Sequence, residues 1–187
     1  MSVEAWAAVA QIGTFVVIAV TAIATLIQLN HLRSANLINA TNSFLDEYEG
    51  SENRDAFSFV RTQLKHKLED PEFCKDFQSR ELDRAKHPEV AVLNFFDKWG
   101  GYYRQGAIDR PMFMRLNANL VLSFWQQLEP VVAMFAKQDG SNLSFEQFEY
   151  LAVQAQDWSA VHPRGDYPKG VRRMSLTNGL TGEDRNR

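Results

Sequence analysis

The sequence has little cysteine and no large excess of either charge. Its one cysteine, Cys74, excludes both an intramolecular disulfide framework and a four-cysteine zinc site. A net charge of −3 gives no indication of nucleic-acid binding. The 187 residues are 45% hydrophobic and 23% charged, which is ordinary for a globular protein and excludes a chain that is disordered throughout.

Charged residues are missing altogether from residues 5–30. A transmembrane helix needs about 20 apolar residues, because each residue rises about 1.5 Å through a hydrocarbon core about 30 Å thick. A cleavable signal peptide is one alternative, but it would have a basic start rather than Glu4 and a shorter apolar core. A buried core helix is the other, and such helices are rarely this long. We therefore predict a transmembrane anchor over residues 1–31.

The charges that flank the anchor predict its orientation. No Lys or Arg precedes it, whereas Arg33 and Arg54 follow it. Because cytoplasmic flanks carry an excess of Lys and Arg, we expect the N-terminus outside and the body in the cytoplasm. The Trp6 indole is expected at the outer interface and Arg33 at the inner membrane surface.

The polar residues of the anchor share one face of the predicted helix. At 100° per residue they fall within a wedge about 100° wide. We call this set the polar stripe, and its members are Gln11, Thr14, Thr21, Thr25 and Gln28. In lipid, such side chains gain about 0.6–2 kcal/mol each from hydrogen bonds to a neighbouring helix. The alternative is that the threonines bond their own backbone and the glutamines reach the headgroups. We predict that the stripe contacts a helix of a homo-oligomer or of another membrane protein.

After residue 31 the apolar residues recur at helical spacing, and alternating strand patterns are lacking. The predicted fold is all-α: a single N-terminal transmembrane helix is followed by a cytoplasmic bundle of about five helices over residues 32–162. The anchor helix is expected to continue to about Tyr48, before Gly50. The aromatic residues between Phe95 and Tyr103 predict the centre of the core.

Several helix starts are predicted from local cap signals. Ser51, Asp70 and Asp109 each stand in a position suited to an N-cap. Ser144 and Gln147 form a capping-box pattern, in which each side chain would bond the other's backbone amide. These signals divide the body into its predicted helices.

Two adjacent glycines, Gly100 and Gly101, interrupt the aromatic segment. Each costs about 1 kcal/mol of helix propensity relative to alanine. Close backbone packing or a helix end is therefore expected at this point.

From residue 163 the helical periodicity stops. Residues 163–187 contain six Lys or Arg against three Asp or Glu, and we predict a basic flexible tail. Arg172 and Arg173 are expected at the membrane surface, where each basic residue gains about 1 kcal/mol from anionic lipid. A solvated tail is the alternative.

Recognisable chemical motifs are lacking. The sequence has no P-loop, no G-x-G-x-x-G, no H-E-x-x-H and no G-x-S-x-G, and it lacks the paired Glu-x-x-His turns of a di-iron site. His87 has an acidic neighbour at helical spacing, Asp83, which is a common helix-face pair. A cluster of acidic residues is interpreted as a solvated face: Asp46, Glu47, Glu49 and Glu52. We therefore predict no enzymatic activity, no cofactor and no metal.

Short segments spread over residues 5–160 share a pattern with known sequences. They are the anchor leading into residues 28–33 (QLNHLR), then 93–97 (LNFFD), 106–109 (GAID), Trp125 and 148–151 (FEYL). Their arrangement resembles domain-of-unknown-function family 4760, a group of small bacterial membrane proteins. The resemblance implies an anchored helical domain of bacterial origin and brings no activity or site residues. The double glycine and the basic tail lie outside it.

Together these features favour a membrane-anchored interaction or scaffold protein. The expected location is the bacterial inner membrane, crossed once. The expected partners are the lipid bilayer and either a second copy or another membrane protein, with no nucleic acid. The alternative function is a membrane-associated regulatory or defence effector that acts through oligomerisation of its anchor. An enzyme with an unrecognised active site is a third, less favoured interpretation.

Overall fold

A computed structural model describes residues 2–77, 82–141 and 143–174 of the chain. Within these residues every regular element is a helix, which confirms the all-α prediction. Two of the helices, α3 and α4, are short links of four and six residues. The helices in chain order are α1 Val3–Glu49, α2 Ser51–Thr62, α3 Leu64–Lys67, α4 Pro71–Asp76, α5 Glu89–Gln105, α6 Arg110–Asp139 and α7 Glu146–Val161.

The helix α1 is uninterrupted over 47 residues and ends just before Gly50, as predicted. At about 1.5 Å per residue it is about 70 Å long. Its segment Gln11–Leu29 has no residue buried in the chain. Near its other end Phe44 is fully buried, with its ring centroid 5.1 Å from those of Trp99 and Phe113. One helix therefore connects an exposed apolar segment to the core of the body.

The helix α5 forms the centre of the body, where it packs against α2, α6 and α7. Its Phe96 ring stacks on Phe148 of α7 at 4.7 Å and lies 5.3 Å from Phe124 of α6. Fully burying a side chain of this size contributes about 1.5–3 kcal/mol. The predicted aromatic centre is confirmed, although Tyr102 of the same helix is 42% exposed.

The two glycines of α5 have different environments. A Cβ atom at Gly100 would lie 2.1 Å from the backbone oxygen of Gln147. The helices α5 and α7 therefore approach too closely at this point for any side chain, which confirms the expectation of close packing. A Cβ atom at Gly101 would meet nothing within 4 Å, and the structure gives no reason for that glycine.

Two of the predicted helix caps are confirmed and one is wrong. The Asp70 carboxylate accepts a hydrogen bond from the Glu72 amide at 3.0 Å. The Asp109 carboxylate accepts one from the Met112 amide at 2.8 Å. Ser51 is instead the first residue of α2, and the residue before it takes the cap position without a side-chain hydrogen bond.

The capping box predicted at the start of α7 does not form. The Ser144 hydroxyl donates to Oδ2 of Asp139 at 2.7 Å instead. The first amides of α7 are capped from another helix, because Oδ1 of Asp97 in α5 accepts from the Gln147 and Phe148 amides at 3.0 and 3.1 Å. A carboxylate near a helix N-terminus also interacts favourably with the helix dipole. The Asp97 carboxylate thus takes the role predicted for the Ser144 hydroxyl.

Candidate functional site

The segment Gln11–Leu29 of α1 presents large apolar side chains on its surface. Phe15 is 72% exposed, Ile12 is 65% exposed and Ile27 is 53% exposed. Soluble proteins rarely expose continuous apolar patches of this kind unless the patch binds something. The segment is long and apolar enough to cross a membrane. A signal sequence near an N-terminus has the same two properties.

All five residues of the polar stripe are exposed in the single chain. The Thr21 hydroxyl donates to the Val17 carbonyl and the Thr25 hydroxyl to the Thr21 carbonyl, both at 2.8 Å. These bonds agree with the alternative interpretation, in which the threonines of the stripe bond the backbone of their own helix. Each hydroxyl oxygen nevertheless keeps its capacity to accept a further hydrogen bond. Contact between the stripe and another helix stays a prediction.

The residues predicted to contact the membrane surface lie in two parts of the chain. Trp6 is 62% exposed near the start of α1. Arg33 belongs to the same helix, but its side chain lies outside the described part of the structure. Arg172 and Arg173 are exposed. Their contact with lipid stays a prediction.

The first part of the predicted tail folds back on itself and on α6. Asp166 forms an ion pair with Arg115 at 2.6 Å. The Arg173 guanidinium donates to the Arg164 carbonyl at 2.8 Å and lies 4.6 Å from the centroid of the Tyr167 ring. These contacts connect residues 164–173 to one another and to α6. The remainder of the predicted tail, residues 175–187, lies outside the described residues.

Glu47 joins the end of α1 to the body. Its carboxylate accepts hydrogen bonds from Lys98 at 2.6 Å and from the Trp99 indole at 3.2 Å. The Asn53 amide donates to its backbone carbonyl at 2.9 Å. The interpretation of the acidic cluster as a solvated face is therefore wrong for Glu47. These bonds fix the end of α1 against α2 and α5.

A fully buried histidine and glutamate precede and begin α5. Nδ1 of His87 lies 2.7 Å from Oε1 of Glu89, and Nε2 of His87 lies 3.3 Å from Oδ2 of Asp76. Burial raises the pKa of the Glu89 carboxyl above its usual value, against the opposing effect of the hydrogen bond to His87. Oε2 of Glu89 has no hydrogen-bond partner among the described residues.

This buried pair was not found from the sequence. The sequence paired His87 with Asp83, but the Asp83 carboxylate accepts from the Ala85 amide at 3.0 Å. The signal in the sequence is the order His87-Pro88-Glu89 at the start of a helix. At such a turn of the chain, two side chains that are two residues apart can face each other. The two carboxylates lie on opposite ring nitrogens of His87 and so do not converge. Among the described residues, no group of three His, Cys, Asp or Glu side chains could hold a metal ion.

A cavity of about 300 Å³ lies beside this pair, between α5 and the end of α1. It is large enough for a small polar molecule or several waters. Its lining includes both anions and cations, so its charge selects no class of ligand. The polar residues of the lining are Glu47, Asn53, Arg84, His87, Asn94 and Lys98.

A family model described as a domain of unknown function (DUF4760) matches residues 15–156. The match covers more than half of the chain, begins inside the apolar segment of α1 and ends in α7. No curated protein and no solved structure matches the chain.

Proposed function

The chain belongs to the DUF4760 family, a domain of unknown function, and from that premise we propose that it is a membrane-anchored interaction protein. In this proposal α1 crosses the inner membrane of a bacterium once, with its N-terminus outside and the helical body in the cytoplasm. One observation carries the proposal. The same helix that exposes an apolar segment ends in the core of the body, so anchor and body form one continuous unit.

The composition of the segment supports insertion. Each Leu, Ile, Val or Phe near the centre of a transmembrane helix contributes about −0.3 to −0.6 kcal/mol to insertion. The two glutamines, Gln11 and Gln28, stand at opposite ends of the segment, where amide groups can reach the headgroup region. The polar groups nearest the centre are threonine hydroxyls, and those of Thr21 and Thr25 are bonded to the backbone.

The attachment of α1 to the body supports a role in assembly. Phe44 and Glu47 fix the helix through packing and through hydrogen bonds to α5. When the anchor contacts a partner, the body attached to it is therefore placed beside that partner as well. Confinement to a membrane also raises the effective concentration of partners in the same plane.

We propose a role without catalysis. The support is that both ring nitrogens of His87, which borders the cavity, are engaged by carboxylates within the protein, and that Glu89 is fully buried and does not line the cavity. A general base or acid has to reach its substrate, directly or through one water. The pair is better suited to holding the loop before α5 in place.

Cross-linking in native membranes tests the proposal. The full chain, with an affinity tag at its C-terminus, is cross-linked mildly, solubilised and purified. The test variant carries Thr14→Leu, Thr21→Leu and Thr25→Leu, which remove the stripe hydroxyls. The matched control carries Val16→Leu, Ile23→Leu and Ile27→Leu on the opposite face of the helix.

The wild-type chain and the control should yield a stoichiometric cross-linked partner, and the stripe variant should lose it. An unchanged cross-linked product in the stripe variant would contradict the role of the stripe. A wild-type chain found outside the membrane fraction would contradict anchoring itself.

A further inference from the structure

The residues of the polar stripe follow one uninterrupted heptad repeat. The seven positions of the repeat are lettered a to g, and Gln11 is taken as position a. Position a then also holds Ile18 and Thr25. Position d holds Thr14, Thr21 and Gln28. Five of the six a and d positions between residues 11 and 28 are thus polar, and every other residue in that range is apolar or glycine. Two helices that wind around each other with a left-handed twist bring the a and d positions into contact every 3.5 residues.

The body lies on the opposite side of α1 from this seam. Continued along the helix, the same frame places Phe44 at f, Glu47 at b and Tyr48 at c. Positions b, c and f face away from an a/d seam, and these three residues attach α1 to the body. Asn42 at d and Asp46 at a are exposed. At the seam positions whose side chains the structure describes, the body therefore leaves the seam uncovered.

The seam within the membrane is complementary to itself. A glutamine side chain both donates and accepts hydrogen bonds, so the two copies of Gln11 and of Gln28 can satisfy each other. The Thr21 and Thr25 hydroxyls donate to carbonyls of their own helix, and they can accept a bond from a neighbouring donor while they do so. The segment carries no charge that would require an oppositely charged partner. In a parallel symmetric pair each residue also meets its own copy at the same depth.

We propose that the helix facing the polar stripe is α1 of a second copy of this chain, paired in a parallel left-handed coiled coil. This inference rests on the proposed anchoring, which also makes the pair parallel because both bodies lie on the same side of the membrane. The polar part of the seam runs from Gln11 to Gln28, about 25 Å at about 1.5 Å per residue. It ends before Asp46, where two carboxylates would face each other. The two bodies lie on the outer sides of the pair.

Disulfide formation in isolated membranes tests the pairing. Single cysteines are introduced into the full chain in a Cys74→Ser background. Thr14→Cys and Thr21→Cys place a thiol at d, and Val16→Cys and Ile23→Cys place one at f, two residues away and at nearly the same depth. The membranes are oxidised with copper phenanthroline and analysed on a non-reducing gel.

The variants at d should shift to twice the monomer mass, and the variants at f should stay monomeric. Equal dimer formation at d and f, or no dimer at any position in a chain that pellets with the membranes, would overturn pairing with a second copy and leave the anchoring intact. A chain absent from the membrane pellet would overturn the proposed function as well.

Coexpression gives a second readout that does not depend on oxidation. Two full chains with different tags are produced together and solubilised in mild detergent. One tag should recover the other, and recovery should be lost when both chains carry Thr14→Leu, Thr21→Leu and Thr25→Leu. Recovery that is unchanged in this variant would contradict the stripe as the seam.

Discussion

The two ends of α1 hold the same residue type in opposite environments. Phe15 is 72% exposed, whereas Phe44 is fully buried among Trp99, Phe95 and Phe113. The backbone hydrogen bonds are helical at both ends, so helix formation alone does not distinguish them. What differs is the surroundings: the body supplies packing partners at one end, and at the other they have to come from lipid or another chain.

Removing one phenylalanine at each end should produce the largest contrast. Phe44→Ala should lower the free energy of unfolding of the body by about 3–5 kcal/mol, because it leaves a cavity at the centre of an aromatic cluster. Phe15→Ala should leave that free energy unchanged, since the segment that holds Phe15 is not buried against any described residue of the body. Near-UV circular dichroism during urea unfolding of the full chain in detergent micelles measures both. Equal losses in the two variants would contradict the comparison.

Glycine substitutions extend the contrast to backbone packing. Gly100→Ala should destabilise the body by about 1–3 kcal/mol or more, because the new methyl group would overlap the backbone of α7. Gly13→Ala in the anchor meets nothing within 4 Å and should leave the stability of the body unchanged. Gly101→Ala, the control within α5, should stabilise it by up to about 1 kcal/mol. Thermal unfolding of the three variants ranks them, and a loss at Gly101 as large as that at Gly100 would refute the close approach.

In the body, a side chain of one helix caps the N-terminus of another, an interaction that the isolated anchor segment does not make. Asp97→Ala should cost about 0.5–2 kcal/mol, because two amides at the start of α7 lose their acceptor. Ser144→Ala is the control and should change stability by less than about 0.5 kcal/mol. Hydrogen exchange of the Gln147 and Phe148 amides should accelerate only in the first variant. If hydrogen exchange of these amides accelerated after Ser144→Ala instead, the result would support the local capping box and contradict the cap by Asp97.

A pH dependence of stability is also expected, and it is confined to the body. Because burial raises the pKa of Glu89, the unfolded chain loses this proton at a lower pH than the folded chain does. Stability should therefore fall as pH rises from the usual glutamate value towards the raised pKa, by at most about 1.4 kcal/mol per pH unit. Glu89→Gln should remove this component from urea unfolding curves measured between pH 4 and pH 7. The segment Gln11–Leu29 has no ionisable group, so retention in membranes should not vary over the same range. An unchanged pH profile in the variant would contradict the assignment to Glu89.

The features predicted correctly from the sequence depend on short-range signals. The apolar run, the end of α1 before Gly50 and the caps at Asp70 and Asp109 are all determined within a few neighbouring residues. The aromatic centre of α5 was also predicted, because its spacing marks one helix face. Close packing or a helix end was expected at Gly100, although the sequence did not indicate which helix packs against it.

The features missed depend on residues that the fold brings together. Asp97 caps an amide 50 positions away, and the indole that holds Glu47 is 52 positions away. No local pattern specifies such a pair. Ser144 carried a good local signal, yet a carboxylate from α5 took its place. The His87–Glu89 pair is close in sequence, but its importance comes from burial, which depends on the packing of the surrounding helices.

Alkaline carbonate extraction of native membranes, followed by intact mass measurement of the protein recovered, tests membrane anchoring most directly. Peripheral proteins are released by this treatment, whereas a protein with an inserted helix stays in the pellet. The account predicts a pelleted chain that still carries residues 11–29. Recovery in the supernatant, or a mass that shows cleavage after the apolar segment, would contradict it.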